Sequence, residues 1–497
     1  MIIDVTGLDR IGSAARESLA RLPGKLLIGG KWAPARSGET FATYDPSTGD
    51  VIATAASGDA ADIDAAVRAA RRAFEQRSWR GMSPHDRGLL LLRIADKVEQ
   101  NADELAELET LNNGTPLSIT LAQVHDVART FRYYAGWPTK IYGQTNPSAE
   151  GIFNYTLREP IGVCGQIIPW NGPLSSAAWK IAPALACGNA VVLKPAEQTP
   201  VTALRLGELI LEAGVPEGIV NVVTGFGETA GAALVAHADV DKIGFTGSTD
   251  VGKLITRNAA ATMKRVTMEL GGKSANIVYA DADLDKAVAG AVAAFTLLSG
   301  QVCVAGSRLL VHEDIHDAFA ERLTAAVRQV KVGDPFQPTS QMGPLVSKEQ
   351  HRRVTSYFDV GRAEGADVLL GGEVLEGRGF YVPPTVFARC RPDMRIAREE
   401  IFGPVVAIMP FKDEADAIAI ANDSHYGLAA AIWTRDAGRT HRMSRALRAG
   451  TVWVNTYLLT DQVSPFGGFK QSGLGRELGA ASIEAYSELK SVFADIS

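Results

Sequence analysis

The chain has 497 residues, of which 46% are hydrophobic and 21% charged, with a formal net charge of -6; this is the composition of an ordinary soluble globular protein, long enough for roughly two to four domains. Mild acidity and scattered basic residues exclude a nucleic-acid or anionic-membrane partner, and no apolar run reaches the ~18 residues that cross a bilayer. Four cysteines in so long a chain are too few for a disulfide framework and predict a reducing, cytoplasmic compartment.

Asp4, Asp9, Arg10, Arg16 and Glu17 load the N-terminus with charge, which does not suit a secretory signal. A short helix is predicted over residues 11–21, then a strand and turn over 25–32 and an extended piece over 41–44. Apolar residues at Ile63, Val67, Ala70 and Phe74 have helical spacing. Ser83-Pro84-His85-Asp86 opens another helix with a cap, a first-turn proline and an acid three residues on. Helices reaching Leu111 and spanning 119–135 follow, and by pattern all of these lie on the surface. Residues 153–158 alternate apolar and polar, as an exposed antiparallel strand does.

From residue 161 the rhythm changes. Strand-like runs at 161–168, 190–193, 219–223 and 242–245 alternate with helical runs at 174–185, 201–213, 228–237 and 249–258. Four such units imply a parallel sheet wrapped by helices, and dinucleotides bind at the carboxyl ends of such strands. A second alternating series begins near Ser274 and runs to Asn455. The chain ends with a helical run at 477–485 and an extended piece at 489–494 that fits as a partner for the 153–158 strand.

Several stretches carry chemistry. Gly300-Gln301-Val302-Cys303 places a cysteine on a turn after a helix expected to end at Gly300; Met268-Glu269-Leu270-Gly271-Gly272-Lys273 ends a strand with a carboxylate. A thiol and a remote carboxylate suggest covalent catalysis assisted by a base, although an isolated cysteine also serves as core filling. Asn171, in Ile168-Pro169-Trp170-Asn171, has an amide suited to a developing oxyanion or to a plain turn. Lys194 and Glu197 close the next strand as ribose ligands or as solvated loop charges. Gly225-Phe226-Gly227-Glu228-Thr229-Ala230-Gly231 is one residue longer than the dinucleotide fingerprint. Gly244-Phe245-Thr246-Gly247-Ser248 opens a helix that Ser248 would cap, leaving N–H groups for a pyrophosphate. Glu399-Glu400-Ile401-Phe402 reads as an exposed loop or as a nicotinamide-ribose contact. His312-Glu313-Asp314-Ile315-His316 matches a zinc motif in letters only. His312 ends a strand and Asp314 should cap the next helix, so the imidazoles diverge and no metal site is expected.

Taken together, and with Ser464-Pro465-Phe466-Gly467-Gly468, these stretches resemble the NAD(P)-dependent aldehyde dehydrogenase superfamily in order and spacing, from about Leu27 to Val492. The resemblance implies an α/β fold: a Rossmann-type parallel-sheet cofactor domain (1–145 with 160–270), an α/β catalytic domain (271–470) and a small β oligomerisation arm (146–159 with 471–497). It makes Cys303 the nucleophile, Glu269 the base, Asn171 the oxyanion donor and Lys180 a lysine near Glu269 able to relay protons. Cofactor contacts fall to Ile168, Pro169, Trp170, Lys194, Glu197, Gly227, Gly231, Phe245, Gly247, Ser248, Leu270, Gly271, Glu400 and Phe402. The implied reaction oxidises an aldehyde to the carboxylic acid through a thiohemiacetal and a thioester. Glu269 implies hydrolysis rather than transfer to CoA, and Glu197 favours NAD over NADP. Gly172, Ser175 and Ser176, with Leu459 and Thr460, suggest a roomy uncharged tunnel for medium, long or aromatic aldehydes. A homodimer or homotetramer is implied. The intact Cys303, Glu269 and Asn171 argue against a non-catalytic descendant of the fold.

Overall fold

A computed structural model describes residues 7–497, so Asp4 lies outside the described residues. Two large sheets organise the chain. The first has eight strands in the order 473–474, 265–269, 242–246, 163–167, 190–194, 220–222, 26–28, 31–33. Its strands from Arg265–Glu269 to Val220–Val222 run parallel, and antiparallel strands close both flanks. Ala190–Lys194 is buried along its whole length, as a parallel strand covered by helices must be. From Val163–Ile167 the chain steps outward to 190–194 and 220–222, then returns to place Lys242–Thr246 on the other side. The order therefore reverses between the strands ending at Ile167 and Thr246, and a crevice opens beyond their carboxyl ends.

The second sheet has seven strands in the order 367–370, 385–388, 405–411, 308–312, 275–278, 429–433, 451–454. All its pairs are parallel except the antiparallel pair at the 367–370 edge. A third sheet pairs Ser487–Asp495 with Ile152–Pro160 in antiparallel register, from Ser487 opposite Pro160 to Asp495 opposite Ile152. The C-terminal extended piece thus pairs with the alternating strand as expected, and the pair exposes Phe153, Leu157, Leu489 and Phe493.

Local signals set most element ends. Asp59 and Asp62 form a capping box at the start of Ala60–Glu75, whose Ile63, Val67 and Ala70 are buried. Ser83 accepts from the Asp86 N–H with Pro84 in the first turn. The Gly225–Gly231 stretch resolves its surplus residue as a π-turn over Gly227–Gly231. There the Gly231 N–H bonds the Phe226 carbonyl at 3.2 Å, the wider ring that takes up one inserted residue.

Three expectations fail. The helices Ala102–Asn113 and Leu117–Ala135 are not surface helices: Glu109, Thr110, Asn112 and Thr120 are buried with the apolar face. Their polar residues bond one another and neighbouring elements, so they read as solvent-facing in sequence while facing protein. The C-terminal helix is only Ala481–Ala485, because Glu477 is extended and bridges Phe466. The helix before Cys303 stops at Thr296, and Leu297–Gly300 breaks away in a turn of left-handed backbone.

Candidate active site

That turn sets the path of the thiol. Leu298, Ser299 and Gly300 all have left-handed backbone, with φ of 50°, 57° and 70°. Two of the three are not glycine, which costs on the order of 1–3 kcal/mol each and needs outside support. Ser299 Oγ donates to the Gly343 carbonyl at 2.8 Å. The Gln301 side chain takes the Val346 N–H at 3.0 Å and donates to the Leu298 carbonyl at 3.1 Å. A Cβ on Gly300 would lie 2.2 Å from the Gly403 carbonyl oxygen, so this glycine allows a contact as well as a φ. Past the turn, Tyr457 Oη donates to the Val304 carbonyl at 2.9 Å. Cys303 is thereby held at a fixed place, half-buried and free of any disulfide. Burial pushes its thiol up to about 12, with the carboxylates of Glu400 and Glu269 adding to the effect.

Two other predicted residues meet this turn. Asn171, just beyond the strand Val163–Ile167, donates its amide to the Gln301 carbonyl at 2.8 Å. The acceptor residue, Gln301, lies two positions before Cys303. Glu269 ends the strand Arg265–Glu269, and its chain continues into Gly271-Gly272. A Cβ on Gly272 would fall 2.3 Å from the Cys303 carbonyl oxygen, and one on Gly271 would fall 2.2 Å from Glu400 Oε2. The two glycines are therefore demanded by space. Glu269 is 3% exposed, and neither carboxylate oxygen finds a hydrogen-bond partner among the described residues. Burial raises its pKa well above the usual carboxylate range; Glu477 adds to the rise, and Lys180 and Arg476 oppose it.

The residues predicted to hold a cofactor flank the crevice at the strand-order reversal. Ile168, Pro169 and Trp170 follow one strand, and Lys194 ends its neighbour. Lys194 Nζ reaches Glu197 at 3.1 Å. Phe245 and Gly247 flank the end of Lys242–Thr246, and Ser248 caps Thr249–Ala259 by accepting from the Val251 N–H. A Cβ on Gly247 would lie 2.5 Å from the Phe245 ring, whereas one on Gly227 would meet nothing within 4 Å. Gly231 lies at the far end of the π-turn and is buried. The Leu270 N–H bonds the Ser472 carbonyl at 2.9 Å. Glu400 accepts from the Gly272 N–H at 2.9 Å, and burial pushes its pKa up to about 7. Phe402, left-handed at φ 60°, stacks edge-on with Trp170 at 5.2 Å. The Cys303 turn and a dinucleotide-type crevice thus share the Glu269–Gly272 segment.

The aldehyde dehydrogenase family matches residues 32–492. Human mitochondrial aldehyde dehydrogenase is 50% identical over 471 residues, 94% of this chain and 91% of that protein. Human retinal dehydrogenase 2 is also 50% identical, with the same coverages. An NAD+ complex of an aldehyde dehydrogenase from Bacillus cereus superposes with a TM-score of 0.96 at 47% identity, covering 98% of this chain and 99% of that one. The chain belongs to the aldehyde dehydrogenase family. Its reaction is the oxidation of an aldehyde.

Within this aldehyde dehydrogenase, Lys180 stands in the helix Pro173–Ala186 and is wholly buried. Its Nζ pairs with Glu477 and donates to Thr246 Oγ1 at 2.6 Å. Glu477 was missed by sequence reasoning. It lies in a run that reads as helical, and only its 2% exposure and its pairing with Lys180 reveal it. The histidine motif behaves differently from expectation in one detail. His312, not Asp314, caps the following 3-10 turn, and His316 pairs with Asp317 at 2.9 Å. Among the described residues no cluster of metal-ligating side chains is assembled.

A Cβ on Gly172 would meet nothing within 4 Å. A cavity of about 420 Å³ is lined by Trp453, Leu459, Thr460, Asp461 and Phe466, among others. Trp179 packs edge-on against Phe466 at 5.3 Å, and Trp179, Cys303 and Leu458 border the same apolar cluster. Asp461, exposed at the rim of this cavity, accepts from the Val463 N–H at 3.1 Å.

Proposed function

We propose that the chain oxidises an uncharged medium, long or aromatic aldehyde to its carboxylic acid with NAD, through a thioester on Cys303 that water hydrolyses. The observation that carries this reading is the meeting of three residues at one turn. Asn171 binds the Gln301 carbonyl, Gly272 touches the Cys303 carbonyl, and Glu269 stands three residues before Gly272 with its carboxylate buried and unpaired.

The donor set fits a dinucleotide. Lys194 and Glu197 offer a cation and a carboxylate to ribose hydroxyls, and the capped start of Thr249–Ala259 presents N–H groups suited to a pyrophosphate. Glu400 is placed for the second ribose, with Phe402 and Trp170 forming an aromatic wall. Ile168, Pro169, Phe245, Gly247, Leu270, Gly271, Gly227 and Gly231 complete the crevice. Glu197 disfavours the 2′-phosphate of NADP by charge. When bound, NAD supplies the acceptor for the substrate's hydride.

The chain's own groups do the rest. Glu269, through a water, takes the Cys303 proton; the sulfur bonds the aldehyde carbon as the C=O π bond opens, and the Asn171 amide and the Cys303 N–H stabilise the resulting oxyanion. After hydride loss Cys303 holds a thioester. Glu269 takes a proton from water, which attacks the thioester carbon; the C–S bond breaks and the acid leaves. Burial, by raising the Glu269 pKa, strengthens it as a base. The buried Lys180–Glu477 pair, with Thr246 Oγ1 on Lys180, acts on the Glu269 carboxyl through its charges, and in this reading it receives that proton through a bridging water. We further propose the domain division 1–145 with 160–270, 271–470, and 146–159 with 471–497, a homodimer or homotetramer through the Ile152–Pro160 and Ser487–Asp495 arm, and a cytoplasmic site of action. No helix among the described residues is long and apolar enough to cross a membrane.

The test is NADH formation across short, long-chain and aromatic aldehydes, with and without CoA, repeated with NADP. CoA-independent turnover with NAD, fastest for bulky uncharged aldehydes, is the expected result. A requirement for CoA, or a far higher kcat/KM for acetaldehyde than for any bulky aldehyde, would overturn the corresponding part.

A further inference from the structure

The turn that carries Asn171 is weakly held by its own residues. It leads into the helix Pro173–Ala186, whose cap position is Gly172 and has no side-chain cap. A glycine there, with open space where a Cβ would stand, contributes no side-chain packing at the cap position. Pro173 has no N–H, and the Ser176 N–H bonds the Gly172 carbonyl at 2.9 Å. The Leu174 N–H is thus an orphan of the first turn. It finds its acceptor on a remote helix: Glu109 Oε1, at 3.3 Å. Glu109 is 2% exposed and lies in the buried helix Ala102–Asn113. Its other oxygen accepts from Thr202 Oγ1 at 2.6 Å, at the start of the helix Val201–Glu212. Asn112, one turn on, donates to the Gln198 carbonyl at 3.1 Å and accepts from the Val201 N–H at 3.4 Å. A single polar helix face therefore holds the starts of two helices, one after the Asn171 turn and one after the Glu197 turn.

We propose that Glu109 is a positioning residue for the oxyanion: pinned by Thr202, its carboxylate anchors the first turn of Pro173–Ala186 and so holds Asn171 against the Cys303 turn. The inference rests on the reading of Asn171 as the oxyanion donor. The Asn171 turn has two anchors, Gln301 on the Cys303 side and Glu109 on the scaffold side. A carboxylate at a helix N-terminus is also favoured by the helix dipole. Removing the scaffold anchor lets the turn drift while leaving Asn112 to hold the Gln198 carbonyl, so the aldehyde step suffers more than coenzyme binding.

The experiment compares Glu109→Ala, Glu109→Gln, Thr202→Val and Asn171→Ala, with the double variant Glu109→Ala/Asn171→Ala, by kcat/KM for the aldehyde and by coenzyme titration. Glutamine keeps an oxygen for the Leu174 N–H, and its amide donates to Thr202 in place of the hydroxyl donating to it. The expected result is a loss of up to about 10²-fold in kcat/KM for Glu109→Ala, a smaller loss of the same kind for Thr202→Val, and recovery in Glu109→Gln. NAD affinity should change less than the aldehyde step, and the double variant should be no slower than Asn171→Ala alone. Full multiplication of the two single effects would overturn the positioning role, as would a failure of glutamine to rescue. If Glu109→Ala does not fold, Thr202→Val and Glu109→Gln decide: wild-type kcat/KM in Thr202→Val overturns the proposal. Wild-type kcat/KM in Asn171→Ala would instead remove the oxyanion reading itself, and this inference with it.

Discussion

Gly272 should not tolerate even alanine, and the reason is distance rather than backbone strain. A Cβ there would lie 2.3 Å from the Cys303 carbonyl oxygen and 3.2 Å from Leu428 Cβ, where ordinary contact begins near 3.4 Å. The Gly271–Gly272 segment cannot easily retreat. Its N–H at Gly272 is held by Glu400, and Ser472 Oγ holds the Gly271 carbonyl at 2.7 Å. The Cys303 backbone must then yield, by roughly 1 Å, and misplacement of a catalytic group on that scale lowers rates on the order of 10²-fold. The overpacking itself costs about 1–3 kcal/mol of stability. Steady-state kinetics of Gly272→Ala should show kcat/KM for the aldehyde down about 10²-fold, with a modest fall in melting temperature. Titration with NAD should be nearly unchanged. A folded Gly272→Ala variant with wild-type kcat/KM would refute the claimed contact between these two segments.

The raised pKa of Glu269 makes two signed predictions. As a base it works only when ionised, so turnover limited by thioester hydrolysis should climb with pH at values above the ordinary carboxylate range, and Glu269→Gln should lose that limb. In stability, a carboxyl whose folded pKa is raised favours folding below its unfolded pKa and loses that contribution as pH rises through the folded value. Melting temperatures of Glu269→Gln should therefore gain on the wild type as pH increases; a gap that narrows with pH would contradict the burial argument. With the Cys303 thiol pushed up to about 12, iodoacetamide should alkylate it in the coenzyme-free protein ~tenfold faster per pH unit with no plateau near neutrality. A plateau below pH 8 would show a thiolate that the fold has stabilised. Glu197→Ala should raise NADP use relative to NAD by removing the repulsive carboxylate, and an unchanged ratio measured by NADPH and NADH formation would remove Glu197 from coenzyme choice.

The residues proposed to carry the chemistry were readable because they sit at strand ends and turns, where short motifs keep their spacing. Cys303, Glu269, Asn171, Lys194, Ser248 and Glu400 all fall where the alternation of strands and helices implied. The parallel strands were legible from their short apolar runs, and the 152–160 arm from its alternation. What escaped depends on contacts between distant segments. Glu477 follows Arg476 in a run with helical composition, and nothing local shows that it turns inward to Lys180. Glu109 and Asn112 read as the wet face of a surface helix, since a polar residue facing another element has the same letter as one facing water. The left-handed Leu298 and Ser299 were hidden for a similar reason. Neither residue type favours that backbone, which the bonds from Ser299 to Gly343 and between Gln301 and Val346 maintain.

The account stands or falls on a covalent acyl-enzyme at Cys303 that Glu269 resolves. The most direct measurement is the mass of Glu269→Gln protein mixed with NAD and a bulky aldehyde, followed by peptide mapping. The account predicts one NADH formed per active site and a Cys303 peptide heavier by the acyl group, which hydroxylamine releases. An unmodified Cys303 after that NADH has formed, with turnover continuing at the wild-type rate, would contradict it.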